Sequence, residues 1–279
     1  MIEQGFRFGT DDTLMGVLSR PAHTNQEVPV ALILNAGIVH RVGPFRLHVD
    51  LARALAERGY PSLRIDLSGI GDSEIRNELP EGSDRVELDV ADAMASLNAD
   101  LGTQTFVPIG LCSGAYKSHQ VAFRNEHAVG GVFLDGIVYE TWGHARRKLL
   151  GKMRYRRVRN AIKQRLVKEE PLWAAPSDFD TAEFFSTDQP AREVADEIKA
   201  MLQRQMQLLF LYTEGYEDIS SARQFKEMFD IDPDGEQLQV DYNVNFEHTL
   251  RLTSHRRTVI ERIAGWFESR FPIPERVLD

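Results

Sequence analysis

Apolar residues along the chain form short continuous runs that alternate with longer stretches of helical spacing. The run from Val28 to Leu34 is apolar along its whole length, which is typical of a strand covered on both faces. The segment from Phe45 to Arg58 instead repeats leucines at 47, 51 and 55, and this spacing predicts a helix that ends before Gly59.

The same analysis, carried along the chain, predicts an ordered series of strands and helices. Strands are predicted over residues 3–8, 13–19, 28–34, 61–66, 105–109, 129–134, 207–213 and 237–242, and helices over residues 45–58, 84–99, 115–125, 219–229 and 253–270. Two opening strands followed by alternating strands and helices predict an α/β fold, with a mainly parallel eight-stranded sheet flanked by helices.

The alternation stops between residues 139 and 206, where helical patterns continue without a strand. A gap of about seventy residues is best interpreted as an inserted helical cap. We therefore expect a core domain made of residues 1–138 and 207–279 and a cap made of residues 139–206.

Composition sets limits on the class of protein. The chain has 279 residues, 42% of them hydrophobic, which is enough for one large domain with a sizeable core. The first residues form no signal peptide and no run of eighteen apolar residues occurs, so we expect a soluble, cytoplasmic protein without a membrane span. With one cysteine and eight scattered histidines, we expect no disulfide, metal site or cofactor.

Charge is distributed unevenly along the sequence. The net charge is −9, yet residues 141–168 contain eleven Lys or Arg and no Asp or Glu. Such a basic segment predicts either a solvated cationic face or a docking surface for an anionic partner, such as a carrier protein or the phosphates of coenzyme A. Aromatic residues do not interleave with these charges as in single-strand binding platforms, so we expect no nucleic-acid partner.

The strongest chemical signal is the sequence Gly-Leu-Cys-Ser-Gly at residues 110–114. It lies between a predicted strand and a predicted helix, the context in which such a motif makes a sharp turn that exposes a nucleophile. Cys112 occupies the nucleophile position. Ser113 is a weaker rival, because it is one residue out of frame.

A nucleophile of this kind needs a base, and the base needs an acid to orient it. His248 follows the last predicted strand and is the candidate base. Asp218 follows the preceding strand and is our choice for the acid, while Asp135, after the strand that follows the motif, is the other plausible orienter. The chain order of nucleophile, acid and base fits acyl transfer.

Acyl transfer also needs donors for the oxyanion. The backbone amide of Ser113 is the first expected donor, and the amide of Ile38, in the loop after the third strand, is the second. Arg41, in the same loop, either binds a carboxylate or phosphate of the substrate or pairs with an acidic neighbour.

These features resemble the α/β-hydrolase superfamily over nearly the whole chain except the predicted cap. More narrowly, the chain is similar to the exosortase-associated hydrolases. The segments that carry this similarity are GIVHRVGP at 37–44, LARALAERGY at 51–60, LRID at 63–66, GIGDS at 69–73 and GLCSGA at 110–115. The sequence Asn35-Ala36-Gly37 departs from the usual His-Gly-x at the oxyanion loop.

Most members of the superfamily carry serine at the position of Cys112, whereas cysteine there resembles dienelactone hydrolases and a set of carrier-protein acyl shuttles. A thiolate beside His248 and a helix N-terminus attacks thioesters readily. The sequence thus predicts a Cys112–His248–Asp218 triad for hydrolysis or acyl transfer on a thioester or ester. A non-hydrolytic binding protein of the same fold and a lactone-opening enzyme are the alternatives.

Overall fold

The computed structural model of the protein describes residues 1–23, 25–76, 79–80, 84–147, 189–215 and 219–274. Its centre is one eight-stranded sheet with the order β1-β2-β4-β3-β5-β6-β7-β8. The strands are β1 (Ile2–Phe8), β2 (Leu14–Arg20), β3 (Val30–Ile33), β4 (Ser62–Asp66), β5 (Phe106–Leu111), β6 (Gly130–Leu134), β7 (Gln207–Thr213) and β8 (Leu238–Asn243).

Six named α-helices flank the sheet in the described part of the chain. They are α1 (Leu47–Glu57), α2 (Arg85–Leu101), α3 (Ser113–Arg124), α4 (Ala191–Gln203), α5 (Gln224–Phe229) and α6 (Thr253–Arg270). Short 3₁₀ turns cover Thr10–Asp12 and Pro44–Arg46, and residues 142–147 are also helical. None of these helices is both long enough and apolar enough to cross a membrane.

The sheet is mixed, with all of its antiparallel pairing at one end. β2 pairs antiparallel with both β1 and β4, while the neighbours from β4 through β3, β5, β6, β7 and β8 are all parallel. This confirms the predicted eight-stranded, mainly parallel sheet. The carboxyl ends of the parallel strands lie at one edge, so the loops that follow them can converge on a single site.

The core lies on both faces of the sheet. On one face, α1 and α6 bury apolar side chains such as Leu51, Leu55 and Ile263 against the strands. On the other face, α2, α3, α4 and α5 pack against the alternate strand positions, among them Phe133 and Phe210. The central strands β3, β5 and β6 are buried at every position, and each is therefore a run of residues without charged side chains, whereas the edge strand β8 alternates buried and partly exposed positions.

Helix α4 falls within the segment that the sequence predicts as a cap. Its residues Val194, Ile198 and Met201 are buried in the same core cluster as the strands β6 and β7. A parallel pair of strands needs a crossover connection, and α4 provides the end of it. Residues 148–188, the middle of the predicted cap, lie outside the described residues.

Candidate active site

Cys112 lies in a sharp turn between the end of β5 and the start of α3. Its backbone has φ 58° and ψ −127°, a conformation that costs a non-glycine residue about 1–3 kcal/mol. The Cys112 amide donates to the carbonyl of Leu134 over 2.9 Å, and its carbonyl accepts from the amide of Ala115 over 2.9 Å. These bonds hold the turn, and the cysteine side chain remains partly exposed.

Two glycines of the motif are required by close approaches of the backbone. A Cβ at Gly110 would lie 2.0 Å from the carbonyl oxygen of Gly114, and a Cβ at Gly114 would lie 2.3 Å from that of Asn35. Real Cβ atoms do not approach backbone oxygens so closely, so neither position can carry a side chain without a shift of the backbone. The glycines therefore allow α3 to start directly against the loop that follows β3.

His248 faces Cys112 from the loop after β8. Its Nδ1 atom lies 3.0 Å from Oδ2 of Asp135, and the imidazole also hydrogen-bonds the side chain of Cys112. Burial favours the neutral ring, but the hydrogen bonds and charges of Asp135 and Cys112 outweigh it and raise the pKa of His248 to about 9. The imidazole is thus placed between a carboxylate and a thiol.

Asp135 is the acid that contacts His248 in this structure. It directly follows β6, is fully buried and has a positive φ of 49°. Its Oδ1 accepts from the Thr213 amide over 2.7 Å, and its Oδ2 accepts from the Thr213 hydroxyl over 2.6 Å. These two bonds orient the carboxylate toward the ring. Asp218, the acid that we chose from the sequence, lies outside the described residues.

The loop that carries His248, residues 244–252, is fixed by bonds to its neighbours. Glu214 accepts from the Asn245 amide over 2.6 Å, and the amide of Gly215 donates to the carbonyl of Phe246 over 2.8 Å. Glu247 accepts from the Leu252 amide over 2.9 Å. Glu214, four residues before Asp218 in the sequence, therefore anchors this loop.

Two other histidines are buried too deeply to act as bases at neutral pH. Burial lowers the pKa of His48 to about 4 and that of His119 to about 3. Both side chains are fully enclosed in the core. His119 lies 3.4 Å from Oε2 of Glu197 but is fully enclosed, whereas the His248 side chain is 27% exposed, so His248 differs from both in its access to solvent.

The expected oxyanion donors lie on two adjacent segments. Ser113 is the first residue of α3, and the first amides of a helix have no intrahelical acceptor. Ile38 lies in the loop after β3, residues 35–43, which we call the β3 loop. Gly37, next to Ile38, donates its amide to the Ser113 hydroxyl over 2.9 Å. This bond engages the hydroxyl of Ser113, which weakens its case as a rival nucleophile.

Arg41 is engaged by acidic neighbours. Its Nη1 atom contacts Asp66 and lies 2.8 Å from Oδ2 of Asp72 and 2.8 Å from Nε2 of His40. The guanidinium is buried, with its side chain 10% exposed. Of the two interpretations of Arg41, the geometry supports pairing with an acidic neighbour over binding of a substrate anion.

The same cluster contains a geometry that a cation could use. One ligand atom from each of His40, Asp66 and Asp72 lies within 4.8 Å of the others. Arg41 already places its positive charge among these three groups, and a divalent ion would have to displace it. The cluster is thus best described as an ion-pair network that ties the β3 loop to the segment after β4.

Two contributors to the site were not identified from the sequence. Thr213 holds Asp135, and its position at the last residue of a buried strand was the available signal. The hydroxyl of Ser113 joins the two oxyanion segments, a role that no motif indicates. Together, these residues can generate a nucleophile at Cys112, transfer its proton through His248 and offer backbone amides to a developing oxyanion.

Comparisons with known proteins agree with this fold. A family model described as the alpha/beta hydrolase family matches residues 36–258. None of the curated protein sequences matches the chain.

Several solved structures share the architecture at low sequence identity. The alpha/beta hydrolase GrgF from Penicillium sp. sh18 is 14% identical, with 98% of this chain and 100% of that chain covered and a TM-score of 0.63. An esterase of Pyrococcus furiosus is 14% identical, with 97% and 91% covered and a TM-score of 0.60. An alpha-beta serine hydrolase homologue from Coxiella burnetii is 13% identical, with 95% and 97% covered and a TM-score of 0.57.

The structural neighbours establish the fold and the family model covers most of the sequence, from the β3 loop into α6. Both findings agree with the observed sheet order and with the strand, turn and helix around Cys112. The chain belongs to the alpha/beta hydrolase family.

Proposed function

We propose that this hydrolase cleaves or transfers acyl groups through a covalent intermediate on Cys112, with His248 as the acid and base and Asp135 as the residue that orients His248. The observation that carries the proposal is the contact of one imidazole with both the Cys112 side chain and the buried Asp135 carboxylate. This is the arrangement that an activated nucleophile requires.

The first half of the reaction forms the acyl-enzyme. The sulfur of Cys112, as thiolate, attacks the carbonyl carbon of the substrate and the carbonyl oxygen becomes an oxyanion. The amides of Ser113 and Ile38 stabilise this charge. When the tetrahedral intermediate collapses, the bond to the leaving thiol or alcohol breaks, and the His248 imidazolium donates its proton to the leaving group.

The second half releases the acyl group. Once Cys112 is acylated, its charge is gone, and one of the contributions that raise the pKa of His248 is removed. The neutral imidazole then takes a proton from water or from an acceptor thiol or amine, which attacks the thioester carbonyl. Collapse of the second intermediate restores the thiolate and the imidazolium.

Asp135 supports both halves without reacting. Its carboxylate is fixed by the Thr213 amide and hydroxyl, and it accepts from Nδ1 of His248. This leaves Nε2 to face the sulfur. An aspartate at this place stabilises the imidazolium and fixes the ring in one orientation.

Thioesters are the substrate class that a cysteine nucleophile favours, because a thiolate readily takes over the acyl group of a thioester and releases the original thiol. The basic segment at residues 141–168 further supports an acyl donor with an anionic carrier, such as coenzyme A or an acyl or peptidyl carrier protein. Oxygen esters remain within the same chemistry.

The test is turnover of a panel of acyl-CoA and acyl-carrier thioesters, with release of the carrier thiol followed by chromatography. Wild-type protein should release thiol from at least one member of the panel, and the Cys112→Ala variant should not. Equal release by both would overturn the assignment of the nucleophile. Tight binding of a panel member without release by either would indicate a binding protein of the same fold.

A further inference from the structure

The proposed oxyanion donors come from two segments that are far apart in the sequence. The amide of Ser113 belongs to the first turn of α3, and the amide of Ile38 belongs to the β3 loop. A pair of donors stabilises an oxyanion only if both point to the same position, about 3 Å away. Something must therefore fix the β3 loop relative to α3.

One bond joins these two segments directly. The amide of Gly37 donates to the hydroxyl oxygen of Ser113 over 2.9 Å, and this contact is buried. Ser113 itself is 9% exposed. Since Gly37 precedes Ile38, a bond that holds the Gly37 amide also restrains the next peptide, which carries the Ile38 amide.

The other side of the β3 loop is held by a different set of contacts. Asp66, at the end of β4, accepts from the Arg41 amide over 2.6 Å and from the Asn35 side chain over 3.1 Å. The Asn35 side chain also donates to the carbonyl of Val39 over 2.9 Å. These contacts fix the loop to β4 but do not hold the Gly37 peptide, which is bonded to the Ser113 hydroxyl.

The packing around α3 makes that distance short. Gly114 lets the first turn of α3 approach Asn35 so closely that even a methyl group could not be accommodated. The Ser113 hydroxyl is thus placed within reach of the Gly37 amide by the same close approach. A buried amide that loses its acceptor will move toward another partner or toward water.

We propose that the side chain of Ser113 is a positioning residue of the oxyanion hole, which uses its hydroxyl to hold the Gly37 peptide so that the Ile38 amide and the Ser113 amide face one oxyanion. The proposal rests on the function proposed above, because it assigns a role within that acyl transfer. It distinguishes the Ser113 side chain from its backbone, which supplies a donor whatever the side chain is.

The test compares two reactions of Cys112 in the Ser113→Ala variant. Acylation by p-nitrophenyl acetate, measured as the pre-steady-state burst, develops an oxyanion, whereas alkylation by iodoacetamide uses the same thiolate and develops none at a carbonyl. We expect Ser113→Ala to slow the burst by about 10- to 100-fold, because small misplacement of a donor has effects of this size. The rate and pH profile of alkylation should stay unchanged.

Two further variants keep this comparison specific. Ser113→Thr retains a hydroxyl and should recover most of the burst rate. Ser118→Ala removes a buried serine hydroxyl from the same helix, one that makes no hydrogen bond among the described residues, and it should match wild type in both reactions. Thermal unfolding of each variant verifies that the fold is retained.

The outcomes separate the two proposals. If Ser113→Ala acylates as fast as wild type, or if acylation and alkylation fall by the same factor, the positioning role is overturned. If neither the ester nor any thioester of the panel acylates the wild-type protein, the proposed function itself is wrong. The role of Ser113 in it is then overturned as well.

Discussion

The contacts of His248 favour the charged form of its ring. Hydrogen bonds and charges from Asp135 and Cys112 raise its pKa to about 9 against the opposing effect of burial. A raised pKa means that the folded protein favours the imidazolium. The stability that these contacts provide is therefore fully present below pH of about 6.5, the unperturbed value, and is lost as pH rises through about 9.

The pKa of the His248 ring can be measured by an NMR titration. We expect His248 to titrate near pH 9 in wild-type protein. Both Asp135→Asn and Cys112→Ala should lower its pKa toward the unperturbed value, since each removes a partner that favours the charged ring. A titration near pH 6.5 in the wild-type protein, or one insensitive to both substitutions, would contradict the stabilisation of the charged His248 ring by Asp135 and Cys112.

Asp135 is the carboxylate that contacts His248, so its substitution tests which acid orients the ring. Asp135→Asn should slow acyl-enzyme formation by about 100-fold or more at neutral pH, because an amide at this place favours the wrong ring tautomer. Asp218→Asn is the matched control and should leave the rate close to wild type. A crippled Asp218→Asn with an active Asp135→Asn would reverse the assignment.

At the scale of elements, the sequence predicted the strands to within a few residues because each buried strand is a compact apolar run. Helix α5 is shorter than expected: the prediction began at Ile219, whereas the helix begins at Gln224. Ile219 is buried without being helical, and a lone apolar residue at the right spacing does not distinguish these cases.

The contacts of the acid and of Arg41 could not be predicted from the sequence pattern, because they depend on which strands are neighbours in the sheet. β6 and β7 are adjacent and parallel, so the sequence allows an acid after either strand to reach a base after β8. Among the residues that the structure describes, Asp135 after β6 contacts His248. Arg41 meets Asp66 and Asp72 because β3 and β4 are neighbours, a pairing that sequence distance conceals. The proposed nucleophile Cys112, by contrast, is indicated by the local sequence of residues 110–114 alone.

The close approach of α3 to the β3 loop predicts that a side chain at Gly114 would disturb both stability and acylation. Gly114→Ala places a methyl group 2.3 Å from the carbonyl oxygen of Asn35. We expect a loss of about 1–3 kcal/mol in the free energy of unfolding, as for overpacking of a core, together with slower acylation. Urea denaturation measures the first effect.

Gly265→Ala in α6 is the matched control, because a Cβ there meets no atom within 4 Å. It should leave acylation unchanged and stabilise the protein by up to about 1 kcal/mol, through helix propensity. A Gly114→Ala protein as stable and active as wild type would show that α3 does not require this contact.

At the scale of the whole molecule, charge is separated along the chain. The eleven basic residues of 141–168 leave 22 positive and 42 negative charges elsewhere, a net −20. Within the described part of this segment, Arg147 bonds Glu227 over 2.7 Å, so this arginine is used internally. The charges that we assign to an anionic carrier are those beyond it, at Arg154, Arg156 and Arg157.

Reversing Arg154, Arg156 and Arg157 to Glu should weaken use of acyl-CoA or acyl-carrier thioesters and leave turnover of a small neutral ester nearly unchanged. Electrostatic docking acts on encounter and is screened by salt, so wild-type activity on the anionic substrate should also fall with ionic strength. Equal losses on both substrates would indicate a damaged fold instead. No loss on either would leave the segment as a solvated cationic face.

In the proposed reaction, Cys112 carries the acyl group. Intact mass spectrometry after brief mixing with the thioester panel, followed by peptide mapping, tests it directly. We predict one acyl adduct in the wild-type protein, located on the peptide that contains Cys112, and none in Cys112→Ala or, at neutral pH, in His248→Ala. An adduct on another residue, or a wild-type protein left unmodified by the entire panel, would show that Cys112 is not the nucleophile.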